Sequence, residues 1–100
     1  MNFHEKIVLK GHNGWIYSLT FSTNDLLLAS GSGDNTIKLW NLETKKEIAT
    51  LRGHDNIVRT ISFSPIWDLL ASGSDDKTVK LWDIESKDVI ATFRGHNDII

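Results

Sequence analysis

The chain has 100 residues, 40% of them hydrophobic and 24% charged, with a net charge of −2 and no cysteine. These values exclude a disordered or fibrous polymer, a disulfide-stapled scaffold, a thiol redox centre and a thiolate-rich metal site. The 11 basic residues are scattered and form no stripe, so nucleic acid is not an expected partner. No run is apolar enough to span a membrane, and the first ten residues lack the apolar centre of a secretory signal. The cytoplasm is therefore the expected compartment, with the nucleus as the alternative.

The strongest signal is an internal repeat of 42 residues: residues 9–50 laid on 51–92 give 21 identities without a gap. Residues 5–10 (EKIVLK) stand one period before residues 47–52 (EIATLR), so both are expected to be the last strand of a unit. After Gly11 and His12, the segment WIYSLTFS has apolar residues at Ile16, Leu19 and Phe21, and the second unit repeats them at Val58, Ile61 and Phe63. Strand side chains alternate with period two, so the spacing of three then two predicts a β-bulge near Tyr17 and Ser18, and again near Arg59 and Thr60. Asn24-Asp25 and Pro65 mark turns into LLLASGS and LLASGS, apolar runs suited to strands covered on both faces. Gly33-Asp34-Asn35 and Asp75-Asp76-Lys77 suit tight hairpins into third strands, TIKLWNL and TVKLWDI. Lys38 and Lys80 alternate there with apolar neighbours and are expected on a solvated face. Polar loops, ETKK and ESKD, lead to fourth strands EIATLR and VIATFR. No helical periodicity and no interdomain linker appears.

Four short strands per 42 residues, opening on Gly11-His12, Gly53-His54 and Gly95-His96 and closing on Trp40-Asn41 and Trp82-Asp83, make a pattern that resembles the WD-repeat family of β-propellers. The resemblance covers nearly the whole chain. It implies an all-β partial β-propeller with two four-stranded antiparallel blades, 11–52 and 53–94. These are flanked by strand fragments: 1–10 as the final strand of a preceding or closing blade, and 95–100 as the start of an incomplete third repeat. Asn41 departs from the aspartate of the usual Trp-Asp pair, at a position outside the polar set described next.

Each unit carries a histidine, a serine, an aspartate and a tryptophan at fixed spacing: His12, Ser30, Asp34 and Trp40, then His54, Ser72, Asp76 and Trp82. These are the residue types of a Ser-His-Asp catalytic triad. Their donors and acceptors also close a relay, with indole N–H to the serine oxygen, serine hydroxyl to one imidazole nitrogen, and the other imidazole N–H to the carboxylate. Such a relay pins the loop before the first strand to the hairpin between the second and third. The resemblance implies the same structural tetrad. Catalysis also requires an exposed nucleophile, an oxyanion hole and a pocket, which the sequence does not signal, and a duplicated set suits a building device better than a reaction centre. A serine-hydrolase activity at Ser30 or Ser72 is the competing reading and a serine-directed probe its test. His12, His54 and His96 lie one unit apart, too far to share an ion, so no metal is expected, and no cofactor. The glycines around Gly33 lack the lysine and helix of a phosphate loop and read as turn residues.

In a propeller the loop after Gly-His, the bulge and the residue before the tetrad aspartate meet on one rim, the docking face that the resemblance implies. By position this assigns Trp15, Tyr17 and Gly33 from the first blade and Ile57, Arg59 and Asp75 from the second. Tryptophan, tyrosine and arginine are enriched in binding hot spots. Against this stands a plain alternative in which Trp15 and Tyr17 cover the blade edge and Arg59 pairs with Asp75. Trp67 is expected on the opposite rim, packed locally or exposed as a second contact. Two blades cannot close a ring, which favours a fragment of a longer propeller, with assembly from copies of the chain as the alternative. The expected function is a non-enzymatic protein-protein interaction module or scaffold. Its partners are then proteins or peptides on the rim and other blades, with neither nucleic acid nor membrane among them.

Overall fold

The computed structural model describes residues 10–22 and 26–94. The predicted strand fragments at 1–9 and 95–100 and the turn at 23–25 lie outside the described residues. Eight strands follow in chain order: β1 Ile16–Phe21, β2 Leu27–Ser32, β3 Ile37–Asn41, β4 Lys46–Leu51, β5 Val58–Phe63, β6 Leu69–Ser74, β7 Thr78–Asp83 and β8 Val89–Arg94. They form two four-stranded antiparallel meanders, β1-β2-β3-β4 and β5-β6-β7-β8. The architecture is all-β: two blades, one per repeat. No helix among the described residues is long and apolar enough to cross a membrane.

The bulges explain the three-then-two spacing. Register shifts between Ile16 and Ser18 against β2, and between Val58 and Thr60 against β6. One extra residue there returns Leu19 and Phe21, or Ile61 and Phe63, to the face of the first apolar residue. A second irregularity lies between Leu39 and Trp40 and is matched between Leu81 and Trp82. The β2–β3 and β6–β7 hairpins put Asn35 (φ 73°) and Lys77 (φ 70°) in the left-handed region. Asparagine tolerates that region well and lysine less so.

Each blade has two faces. The leading face carries the tetrad serine and tryptophan, together with Ile16, Leu19 and Phe21 or their equivalents. The trailing face carries Ala29, Gly31, Ile37, Leu39 and Leu51 or theirs. The two blades meet with the trailing face of the first against the leading face of the second. Ala29, Ile37, Leu39 and Leu51 cluster there with Val58, Ile61, Leu70 and Trp82, all buried. Close approach requires glycine at Gly31, because a Cβ there would lie 2.8 Å from Val58 Cγ1. Two hydroxyls of β1 stitch this seam by accepting amides of β5: Ser18 Oγ from Ile61 N (3.2 Å) and Thr20 Oγ1 from Phe63 N (3.5 Å).

Lys38 and Lys80 differ from the expected solvated position: both are buried, each at 8% exposure. The alternation puts them on the leading face beside the tryptophans, and the Gly-His loop crosses over them. A Cβ on Gly11 would come within 3.1 Å of the Trp40 ring and 3.4 Å of Lys38 Cδ. The lysine stems pack under this loop and the ammonium groups reach the fourth strand. Lys38 Nζ donates to Thr50 Oγ1 (2.8 Å) and pairs with Glu47 (2.7 Å). Lys38 in turn holds the Glu47 carboxyl below its ordinary range. Lys80 donates to Thr92 Oγ1 (3.1 Å), and Val89 stands where the first blade has Glu47.

Candidate functional site

The two histidine relays have matching geometry. In the first blade, Trp40 Nε1–H donates to Ser30 Oγ (3.0 Å), Ser30 Oγ lies 2.7 Å from His12 Nε2, and His12 Nδ1 lies 2.9 Å from Asp34 Oδ2. In the second, Trp82 Nε1–H donates to Ser72 Oγ (2.8 Å), Ser72 Oγ lies 2.7 Å from His54 Nε2, and His54 Nδ1 lies 2.8 Å from Asp76 Oδ2. The indole takes an acceptor site on the serine, so the serine hydroxyl donates to Nε2 and the imidazole N–H at Nδ1 faces the carboxylate. Both nitrogens of each ring are thus used. Ser30 and Ser72 are 3% and 1% exposed, each with its hydroxyl held between an indole N–H and an imidazole nitrogen.

Three further residues per blade complete the set, and sequence reasoning passed over them. Thr36 donates its hydroxyl to Asp34 Oδ1 (2.5 Å) and its amide to the same oxygen (3.0 Å). Thr78 does the same to Asp76 Oδ1 at 2.5 and 2.9 Å. The Asn13 and Asp55 amides bind the other carboxylate oxygen of Asp34 and Asp76, each at 3.0 Å. The spacing Asp-x-Thr in DNT and DKT was the available signal, since a carboxylate readily accepts from the backbone two residues on. Ser32 and Ser74 accept the aspartate amides and hold the turn below, both at 3.1 Å.

Burial alone would raise the Asp34 and Asp76 carboxyls. The threonine hydroxyls, the imidazole N–H groups and the backbone amides outweigh it and hold both well below the usual carboxylate range. For His54, burial dominates over the attraction of Asp76 and lowers it from the ordinary 6.5. Both shifts mean that the unfolded chain binds more protons than the folded one, so stability falls on acidification. The His54 contribution is complete above 6.5 and lost as pH falls through the depressed folded value; the aspartate contributions are lost below 3.8. Melting temperature measured against pH should therefore decline in two steps, and a His54→Gln variant should lack the upper one. A melting temperature that stays flat between pH 7 and 5 would contradict this.

On the rim the structure brings Tyr17, Gly33, Arg59 and Asp75 together across the two blades. Arg59 Nε and Nη2 donate to Asp75 Oδ1 (2.9 Å) and Oδ2 (3.0 Å), a two-pronged pair. The guanidinium carbon lies 4.9 Å from the centroid of the Tyr17 ring. A Cβ on Gly33 would stand 3.3 Å from Tyr17 Cε2, so the missing side chain gives the ring its seat. Trp15 and Ile57 are tied to the hairpins by their carbonyls, which accept the Gly33 amide (2.7 Å) and the Asp75 amide (3.0 Å). Trp15 itself is 80% exposed. The Arg59–Asp75 pair of the plain alternative is thus present, but Trp15 does not cover the blade edge. Trp67 is exposed at 68%, next to Ile66 at 79%, on a turn whose amides at both residues bind Ser64 Oγ. Among the described residues no three metal-capable side chains gather.

Two antiparallel four-stranded meanders stacked face to face at a fixed sequence period, each locked by the same relay, define a pair of β-propeller blades. The family described as WD domain, G-beta repeat matches residues 3–41 and 45–83, and the chain belongs to it. Among curated proteins the chain is similar to Pre-mRNA-splicing factor prp46 of Emericella nidulans, 54% identical over 37 residues, 37% of this chain and 8% of that protein. It is also similar to a guanine nucleotide-binding protein subunit beta-like protein of Encephalitozoon cuniculi, 48% identical over 40 residues, 39% of this chain and 12% of that protein. A third relative is eukaryotic translation initiation factor 3 subunit I of Aspergillus oryzae, 53% identical over 34 residues, 34% of this chain and 10% of that protein. Each match spans about one repeat, a small fraction of these relatives' length.

Proposed function

We propose that the chain is a non-enzymatic protein-interaction module that presents Trp15, Tyr17, Gly33, Ile57, Arg59 and Asp75 as a docking rim. The observation that carries this reading is the composite Tyr17–Arg59–Asp75 cluster. Its members come from both blades, Arg59 has its charge met by Asp75 and its flat side against Tyr17, and the exposed Trp15 extends from the same rim. A rigid aromatic patch with a neutralised guanidinium suits an apolar or aromatic anchor on a peptide better than a charged ligand. Membership of the repeat family supports protein partners, as do two relatives named as subunits. The buried, doubly bonded tetrad serines support the absence of a hydrolase function. A peptide selected from a displayed random library against the chain tests the reading. Trp15→Ala and Tyr17→Ala should each weaken its binding by about tenfold, the loss of a moderate hot spot, at an unchanged melting temperature. Full binding by both variants would overturn the assignment of the rim.

The uncovered blade faces favour a second reading, in which the chain is a building block whose partners are other blades, in the same polypeptide or in copies of it. Ile16, Leu19 and Phe21 are 46%, 59% and 50% exposed on one side and Phe93 is 54% exposed on the other. Apolar rows of this kind mark sites of association.

A further inference from the structure

We propose that Asn13 is a site of spontaneous covalent modification: its side-chain amide is lost through a cyclic imide formed with the Gly14 nitrogen, and the isoaspartate that results loosens the loop holding His12 of the first relay. The inference rests on neither the rim nor the building-block reading.

The reaction needs an asparagine side chain free to rotate and a following backbone nitrogen free to attack it. Four asparagines lie among the described residues, and three of them fail this requirement. Asn35 is followed by Thr36, a β-branched residue whose amide is committed to Asp34 Oδ1 at 3.0 Å. Asn41 accepts the Glu43 and Thr44 amides with its side-chain oxygen (2.8 and 3.0 Å), and the next amide, that of Leu42, donates to the Leu26 carbonyl (3.0 Å). Asn56 accepts the amide of Ile57 itself (2.8 Å), which aims that N–H at the side-chain oxygen and away from the carbon. Asn13 differs on both counts. It is exposed, and its bond to Asp34 is made by its backbone amide, which leaves the side chain without a partner among the described residues. The Gly14 amide has no partner among them either, and glycine puts no Cβ in the path of attack. Asn13 also borders a cleft of about 90 Å³ with Asp34, Lys38 and Arg52, which gives its side chain room to swing onto the nitrogen.

The Gly14 nitrogen gives its proton to hydroxide and bonds to Asn13 Cγ. The Cγ–Nδ2 bond breaks, and the departing nitrogen takes a proton from water, regenerating the hydroxide, and leaves as ammonia. Water then opens the imide ring at one of its carbonyl carbons. Opening at Cγ gives aspartate; opening at the Asn13 main-chain carbonyl gives isoaspartate, with the chain routed through Cγ.

The products differ in what they do to the loop. Aspartate fits, because Asp55 stands at the equivalent place in the second blade and its amide meets Asp76 at 3.0 Å, as the Asn13 amide meets Asp34. Isoaspartate lengthens the backbone by a methylene between two anchors on the same hairpin: the Asn13 amide on Asp34 Oδ2 (3.0 Å) and the Trp15 carbonyl on the Gly33 amide (2.7 Å). Between them Gly14 lies so close to the hairpin that a Cβ would stand 2.6 Å from Asp34 N, so the loop has no slack for the extra carbon. One anchor must give, and each borders the carboxylate that holds His12.

The folded chain is incubated in mildly alkaline buffer and followed by peptide mapping with mass spectrometry and by labelling with an isoaspartate-specific methyltransferase. The peptide bearing Asn13 should convert an order of magnitude faster than those bearing Asn35, Asn41 or Asn56, with isoaspartate in excess over aspartate. Asn13→Gln should take up no label in that peptide. The isoaspartate form, isolated from the aged chain, should melt about 4–8 °C below the fresh chain, the shift that losing one hydrogen bond gives a domain of this size. Fresh Asn13→Asp should melt with wild type. Conversion at Asn13 no faster than at the other three, or label that persists in the same peptide of Asn13→Gln, would overturn the site. An isoaspartate form that melts like the fresh chain, or a fresh Asn13→Asp that melts as low as that form, would overturn the loosening assigned to the longer backbone.

Discussion

Trp82→Ala is expected to lower the stability of the chain by about 3–5 kcal/mol, the range for removing a large buried aromatic. Trp82 is 1% exposed and packs in the seam with Leu70, Val58, Ile61 and the trailing face of the first blade. Its loss opens a cavity in the only cluster that joins the two blades among the described residues, and it takes away the indole N–H that Ser72 accepts. A chain of this size has about 5–15 kcal/mol in total, so the variant should be partly unfolded at physiological temperature. Trp82→Phe separates the two contributions: it keeps most of the apolar contact and should lose about 1 kcal/mol, the net worth of one hydrogen bond. Trp40→Ala should cost less than Trp82→Ala, because Trp40 sits on the leading face of the first blade, outside that cluster. Urea denaturation at constant slope gives all three values.

Asp76→Ala should cost about 3 kcal/mol or more by a different route. Asp76 accepts from the imidazole N–H of His54, from the Asp55 amide, and from both the hydroxyl and the amide of Thr78. His54 and Thr78 are buried, so alanine leaves two buried donors without an acceptor, at about 1–3 kcal/mol each. The network acts as a unit, and the Gly-His loop and the hairpin that hold Ile57 and Asp75 on the rim should loosen with it. The variant should also lose part of the acid sensitivity of wild type, because a carboxylate held far below its ordinary range no longer titrates. An unchanged melting temperature would contradict the structural role.

What could be read from the sequence, and what could not, follows from the range of the forces involved. The bulges were legible because register is a local property: Ile16, Leu19 and Phe21 can share a face only if one residue is added to the strand. The relays were legible because each of four side chains has few donors and acceptors and the count closes. Lys38 and Lys80 were misplaced because alternation fixes the face of a strand without saying what covers it. The covering element is a loop more than 25 positions away in sequence, with a glycine at the crossing. Thr36 and Thr78 escaped notice because threonine in a strand reads as β-propensity, and its second task, holding the aspartate two residues earlier, shows only once the turn is built. Trp67 stands exposed on a turn whose amides at Ile66 and Trp67 bind the Ser64 hydroxyl, an arrangement that the apolar pattern does not encode.

The account depends on the two repeats being stacked as successive blades, and the approach of Gly31 to Val58 probes that stacking at its closest point. In a nuclear Overhauser spectrum of the 100-residue chain, the Gly31 α-protons should show strong cross-peaks to a Val58 γ-methyl, as a Cβ position 2.8 Å from Cγ1 requires. A chain in which the Trp40 and Trp82 indole protons are both protected, but Gly31 shows no contact with Val58, would contain two folded sheets that do not stack, and the account would be wrong.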